Sequence, residues 1–235
     1  DGSGGIWSRF KATLKDQLKE SQQKYREAKE ISEMKDSFVS VVSHELRTPL
    51  TTIKLYVNLL KSGKFGAIRE KQGKPLNIVN QETDRLSNLI EDILHLSKLE
   101  SKKEALNIKE FNFYDYAIEN PLYELAREKG IKIKTNVPKG FTIKADGEKF
   151  KLVFINLIGN AIKFTDKKGM ITISAANDKD KSIISIKDTG KGIAKEHIPR
   201  LFDKFFQVEN YMIRDKGGTG LGLAIAKRIV DLHHG

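Results

Sequence analysis

From Trp7 to Leu60, apolar residues recur in steps of three and four with no turn signal between them. They run through Phe10, Leu14, Leu18, Tyr25, Ala28, Ile31 and Met34, then Phe38, Val42, Leu46, Leu50, Ile53, Val57 and Leu60. This period predicts one very long amphipathic helix with coiled-coil tendencies, ending near Ser62 and Gly63. Its apolar stripe is too narrow to bury itself, so the chain must supply a facing helix. Lys74-Pro75 is read as the opening of that second helix, with proline at a first-turn position where its missing donor costs nothing. Leu76, Val79, Thr83, Leu86, Ile90 and Ile93 carry its stripe, and Leu89, Leu94 and Leu99 widen it. The two helices form a hairpin that still leaves apolar surface in water. A second copy is expected to complete a dimeric four-helix bundle, making the protein a homodimer.

After Leu106 the pattern changes to short β-rich runs: 106–113, 131–135, 141–144, 170–175 and 182–188. Helical patterns intervene at about 115–129, 147–164 and 221–233, so the second unit mixes α and β. A length of 235 residues suits two modest domains, and 39% hydrophobic with 31% charged residues excludes a disordered chain. No apolar run is long enough to span a bilayer, and the opening DGSGG lacks the apolar segment of a secretion signal. The absence of cysteine excludes disulfides, thiolate metal sites and thiol nucleophiles, and fits a reducing compartment, with the cytoplasm expected. The net charge of +11 would favour a polyanion, but the lysines are spread along the chain without interleaved aromatics. A solvated basic surface is the reading, with no nucleic-acid partner.

His44 lies in Ser43-His-Glu-Leu-Arg-Thr-Pro-Leu50, two positions from Val42 and two from Leu46. At about 100° per residue it points roughly 200° away from the buried stripe, into water. Thr48 shares its face, Glu45 adjoins it, and Pro49 removes an amide one turn on, so the helix is expected to bend there. An exposed imidazole is largely neutral at neutral pH and offers a lone pair to phosphorus. The other histidines, His95, His197, His233 and His234, are read as ordinary surface residues.

The second unit carries four signals in order. Asn156 and Asn160 share a helix face, with Lys163 near it; amide oxygens suit a hard cation such as Mg²⁺ and an ammonium suits phosphate. Asp188-Thr-Gly190-Lys-Gly192-Ile193 closes an alternating strand, where a carboxylate can accept from an exocyclic amine and glycine lets backbone approach a flat ring. Phe202-Asp-Lys-Phe205-Phe206 supplies aromatic anchoring, read first as core packing. Gly217-Gly218-Thr219-Gly220-Leu221-Gly222 opens a helix and presents free amides to an anion. It follows a polar loop, not a strand, which disfavours a Rossmann site.

Taken in order, SHELRTPL, NLIGNAIK, DTGKGI, FDKFF and GTGLGL resemble the motifs of a sensor histidine kinase of a two-component system, over roughly residues 38–235. The resemblance implies a linker or coiled-coil signalling helix at 1–34. A dimerisation and histidine-phosphotransfer hairpin follows at 35–102, and a GHKL-type α/β-sandwich ATP-binding domain at 103–235. It implies that His44 is the phosphoacceptor, that Glu45 orients or deprotonates it, and that Thr48 helps position water for dephosphorylating the partner. Asn160 would bind Mg²⁺, Asn156 and Lys163 would meet the triphosphate, and Asp188 would read adenine in a pocket shaped by Gly190, Gly192 and Ile193. Residues 206–217 would be a lid, while Gly218, Thr219, Gly220, Leu221 and Gly222 would hold the phosphates. The implied activity is ATP-dependent autophosphorylation and transfer to a response-regulator receiver aspartate, with phosphatase activity in some states.

Gln207 stands where many relatives carry an arginine, leaving the γ-phosphate contact to Arg214 or Lys216. Relatives also continue past the LHHG at which this sequence stops, through two more strands whose loss would leave the sheet incomplete. These departures keep open a nucleotide-binding dimeric pseudokinase scaffold. A sensor domain is expected upstream, in a full protein that is either membrane-anchored or wholly soluble.

Overall fold

The computed structural model describes residues 3–101, 105–179, 181–208 and 218–235, with side chains described for Lys15 and from Gln17 onward. Helix α1 (Ser3–Lys61) runs without interruption through Pro49. A tight turn follows, in which Gly63 and Gly66 adopt φ of 77° and 108°. Helix α2 (Glu70–Glu100) starts earlier than its proline suggested. The Arg69 amide donates to Oε1 of Gln72 at 3.0 Å, so a polar cap begins the helix and carries Gly73 and Pro75 inside it.

The hairpin register is fixed by two bridges between α1 and α2. The Ser97 hydroxyl donates to Asp36 at 3.1 Å, and Lys54 pairs with Asp84 at 2.6 Å. The apolar stripe divides into heptad series. Ser43, Leu50 and Val57 on α1 and Thr83, Ile90 and Ser97 on α2 are buried between the helices. Leu46, Ile53 and Leu60, with Val79 and Leu86, stay exposed on a second face.

Strand β1 (Lys109–Asn112) pairs antiparallel with β3 (Thr142–Ala145), and β2 (Lys132–Asn136) lies parallel to β4 (Met170–Asp178), which pairs antiparallel with β5 (Lys181–Asp188). The single helix expected over 115–129 is two, α3 (Phe113–Ile118) and α4 (Leu122–Glu128). Asn120-Pro121 separates them: the proline cannot continue α3, and the Asn120 side chain accepts from the Leu122 amide at 3.0 Å to start α4. Helix α5 (Gly147–Phe164) lies where its periodicity predicts, and α6 (Gly222–Leu232) follows the glycine cluster.

Phe113, Phe154, Ile158, Ile162, Ile171 and Ile173 form the centre of the core between the sheet and its helices. A second core joins the hairpin to the sheet unit: Leu96 and Leu99 of α2 pack with Val153 of α5, with Leu221 just before α6, and with Ile225, Ala226 and Ile229 of α6. His233, expected as an ordinary surface residue, ties α6 to α5 instead. Its Nε2 accepts from the Asp146 amide at 3.0 Å and its Nδ1 donates to the Ile229 carbonyl at 2.8 Å, while Asp146 caps α5 through the Lys149 amide. Among the described residues no helix is long and apolar enough to cross a membrane.

Candidate functional site

His44 projects into water, its side chain 73% exposed beside a Glu45 that is 75% exposed. The buried heptad series at Ser43 and Leu50 faces α2, and His44 lies one residue past it, turned outward. Its Nδ1 lies 3.4 Å from Oε1 of Glu45. The Thr48 hydroxyl reaches back to the His44 carbonyl at 3.4 Å, a long contact that keeps Thr48 on the histidine's face. Given the Asp36–Ser97 and Lys54–Asp84 bridges, His44 stands level with the middle of α2, near Ile90.

The second cluster gathers along α5. Gly222 opens α6 so close to Asn156 that a Cβ there would stand 2.5 Å from the Asn156 Oδ1, and a Cβ on Gly218 would stand 2.9 Å from Nζ of Lys163. Asn160 lies half-buried on the helix between them, and neither asparagine side chain is engaged in a hydrogen bond among the described residues. Gly220 holds φ of 74° against the backbone of Phe205, whose amide donates to the Gly220 carbonyl at 3.0 Å. At the C-terminal end of α5, next to Lys163, a Cβ on Gly190 would fall 2.5 Å from the Phe164 carbonyl, and the Gly190 amide donates to Asp188 at 2.8 Å. Gly192 takes φ of 70° and Ile193 beside it is exposed. Lys163 lies over the Phe164 ring at 4.7 Å and Lys191 at 5.3 Å.

Along the second half of α5, therefore, a candidate cleft brings amide oxygens, an ammonium and the amides that open α6 together with a carboxylate near Phe164. That set can hold a polyanion and its counter-cation beside a flat polar ring. Two expectations change. Leu221 is fully buried in the seam with α2, and its amide already donates to the Thr219 hydroxyl at 3.2 Å, so its side chain is structural. Phe202 and Phe205 are about half exposed instead of forming core. Gln207 spends its amide on the Gly218 carbonyl at 2.9 Å. Arg214, Lys216 and most of the expected lid lie outside the described residues.

Sequence reasoning missed the contacts that seat this cleft on the hairpin. The Thr219 hydroxyl donates to Asp92 of α2 at 2.5 Å. Burial pushes the Asp92 carboxyl up from its usual range, against the pull of that hydrogen bond. Glu100 bridges Lys204, beside the aromatics, and Lys35 of α1. Burial works to raise the Glu100 carboxyl, but the two lysines together leave it lowered. Both acids sit at helix positions that a sequence cannot distinguish from a solvated face.

The family described as His Kinase A (phospho-acceptor) domain matches residues 34–102, and Histidine kinase-, DNA gyrase B-, and HSP90-like ATPase matches residues 145–235. The chain is 36% identical over 217 residues to the sensor histidine kinase WalK of Bacillus subtilis, covering 89% of this chain and 35% of WalK. It is 35% identical over 220 residues to a sensor-like histidine kinase of Rhizobium meliloti, covering 92% of this chain and 42% of that one. The chain thus spans less than half the length of these curated relatives. Among solved structures, full-length ShkA in complex with AMPPNP superposes with a TM-score of 0.66 at 28% identity, over 83% of this chain and 40% of that one. The histidine kinase ThkA, in complex with the response regulator TrrA, superposes at 0.57 and 28% identity, over 85% of this chain and 55% of that one. With a phosphoacceptor-type hairpin and an ATPase-type α/β unit in one chain, in that order, the protein belongs to the sensor histidine kinase family.

Proposed function

We propose that this chain binds ATP in the cleft along α5, transfers the γ-phosphoryl group to His44, and passes it to an aspartate of a response-regulator receiver domain. The observation that carries this reading is the pairing of an unobstructed His44 with Glu45 at 3.4 Å, on a hairpin that also seats a separate anion-holding cleft. Glu45 faces Nδ1, so Nε2 is the nucleophile. The Nε2 lone pair forms the bond to the γ-phosphorus, the bond to the bridging oxygen breaks, ADP leaves with that electron pair, and the Nδ1 proton passes to Glu45. Phosphoryl transfer asks chiefly for positioning and charge neutralisation, which the cleft offers.

Lys163, Asn156 and the amides around Gly218, Gly220 and Gly222 would meet the phosphates, and Asp188 the adenine amine in a pocket bounded by Gly190, Gly192 and Ile193. Arg214 or Lys216 would supply the cation that Gln207 does not. No group of three or more His, Asp or Glu able to hold a metal occurs among the described residues, so a Mg²⁺ ion fits only as a nucleotide-borne one. Asn160 would then add a single hard oxygen ligand. When bound, the ion would neutralise phosphate charge.

The exposed heptad of Leu46, Ile53 and Leu60 with Val79 and Leu86 supports a homodimer through the hairpin. Thr48, on the face of His44, would position water for dephosphorylating the regulator. An upstream sensor domain belongs to the same reading of the whole protein, as do the boundaries 1–34, 35–102 and 103–235.

Incubation with γ-labelled ATP and Mg²⁺ should give an acid-labile, alkali-stable label that His44→Gln abolishes; label surviving that substitution overturns the assignment. The bond between Gln207 and Gly218 favours one second reading, a nucleotide-binding scaffold. Nucleotide binding with no phosphohistidine under any condition would select it.

A further inference from the structure

Thr219 stands among the glycines that open α6, yet its hydroxyl is bonded outside the sheet unit, to Oδ2 of Asp92 on α2 at 2.5 Å. The Thr219 hydroxyl oxygen in turn accepts from the Leu221 amide at 3.2 Å. A hydroxyl has one proton to donate, and Asp92 holds it. Leu96 and Leu99 of α2, Leu221 just before α6 and Ile225 within it are buried in the seam that this pair adjoins, so the bond is made at the edge of a dry seam. In that setting a carboxylate interacts strongly with nearby charge.

We infer that Asp92 is a positioning residue that competes with the nucleotide triphosphate for the Thr219 loop, so that seating of the ATP unit on α2 and occupancy of its cleft oppose each other. The inference rests on the nucleotide reading proposed above. Phosphates held by the amides around Gly218, Gly220 and Gly222 would lie within about one residue of the Asp92 carboxylate, and like charges across a partly desolvated loop repel. They would also seek the proton that Asp92 takes. By linkage, whatever factor the docked Asp92 removes from triphosphate affinity, a bound triphosphate removes from docking.

The consequence is directional. An empty ATP unit rests on α2, and a loaded one is loosened from it, free to carry its γ-phosphate to His44 on α1. Asp92→Asn keeps an acceptor for Thr219 and deletes the charge, which separates the electrostatic effect from loss of packing.

The test is calorimetry of Mg·AMPPNP and Mg·ADP on the whole chain as wild type, Asp92→Asn and Asp92→Ser. Both variants should bind Mg·AMPPNP about ten-fold tighter than wild type, with a smaller gain for Mg·ADP because the γ-phosphate charge is missing. In the wild type, Mg·AMPPNP should also speed hydrogen exchange in α2 peptides covering residues 89–99. Unchanged or weakened Mg·AMPPNP affinity in both variants overturns the inference, as does an equal gain for the diphosphate and the triphosphate. If neither wild type nor variants bind any nucleotide, the nucleotide reading itself fails, an outcome recognisable because the wild type is silent too.

Discussion

The first residue of α6, Gly222, is pressed against Asn156 of α5 so closely that a methyl group on it would stand 2.5 Å from Oδ1 and 3.1 Å from Cγ of that asparagine. Such an approach is open to glycine and closed to any other residue unless Asn156 turns away. The pair joins the amides that open α6 to the polar face of α5. Gly222→Ala should therefore weaken nucleotide binding by at least about ten-fold while leaving the fold intact, since the displaced amide is half-exposed. Titration of the variant with Mg·AMPPNP, alongside a melting curve, checks this; full affinity in a folded variant contradicts the cleft as drawn.

Glu45 lies 3.4 Å from Nδ1 of His44, where the proposed reading has it take the proton, and among the described residues its side chain makes no other polar contact. Glu45→Gln should slow autophosphorylation by about 10²-fold or more, the usual scale of a positioned acid or base. Affinity for ATP should not change. A rate equal to wild type in single-turnover labelling would remove Glu45 from the chemistry.

The seam between hairpin and sheet unit is a true core. Ile229 is 1% exposed within it and Leu99 4%. Ile229→Ala should cost about 2–5 kcal/mol in chemical denaturation, as buried large-to-small changes do. A loss below about 1 kcal/mol would mean that the seam opens readily and contributes little.

Asp146 links stability to acid. Partial desolvation works to raise its carboxyl, but hydrogen bonds from the Asn107 and Lys149 amides and the Lys149 charge outweigh it and leave the group lowered. A lowered carboxyl contributes its stability in full above the unfolded value of about 3.9 and loses it as pH falls through the folded value. Below about pH 4 the N-cap of α5 should therefore weaken, and with it the helix that carries Asn156 and Asn160. Asp146→Asn should flatten the acid limb of a stability-versus-pH curve relative to wild type. An unchanged limb places the acid sensitivity elsewhere.

The exposed heptad predicts its own disruption. Ile53→Asp should convert a dimer to a monomer in light scattering, because a carboxylate in an apolar seam has no partner to offset its burial. Unaltered mass would exclude this face as the interface. Mixing His44→Gln with Asn160→Asp subunits and looking for label then reports whether transfer crosses between copies.

The sequence was most legible where one physical rule dominates. The three- and four-residue period specified α1 over almost its whole length, and α5 fell on its predicted bounds because its cap, its periodicity and its end agree. The outward aspect of His44 followed from angle arithmetic along α1, although the residues buried against α2 are Ser43, Leu50 and Val57 and Leu46 of the predicted stripe stays exposed. Errors arose where a polar cap competed with proline, as when Gln72 started α2 before Pro75, and where Asn120-Pro121 split a helix that the apolar pattern joins.

By itself, then, the sequence determined the elements and the set of chemical groups, because periodicity and local hydrogen bonding act within a few residues. Only the tertiary structure decided which of those groups meet. The bond from Thr219 to Asp92 spans 127 positions and that from Asp146 to His233 spans 87. An aspartate on α2 reads as one more solvated acid until a buried seam brings a glycine loop against it. Contacts between residues so distant in sequence depend on how whole helices pack, and side-chain spacing carries no record of that.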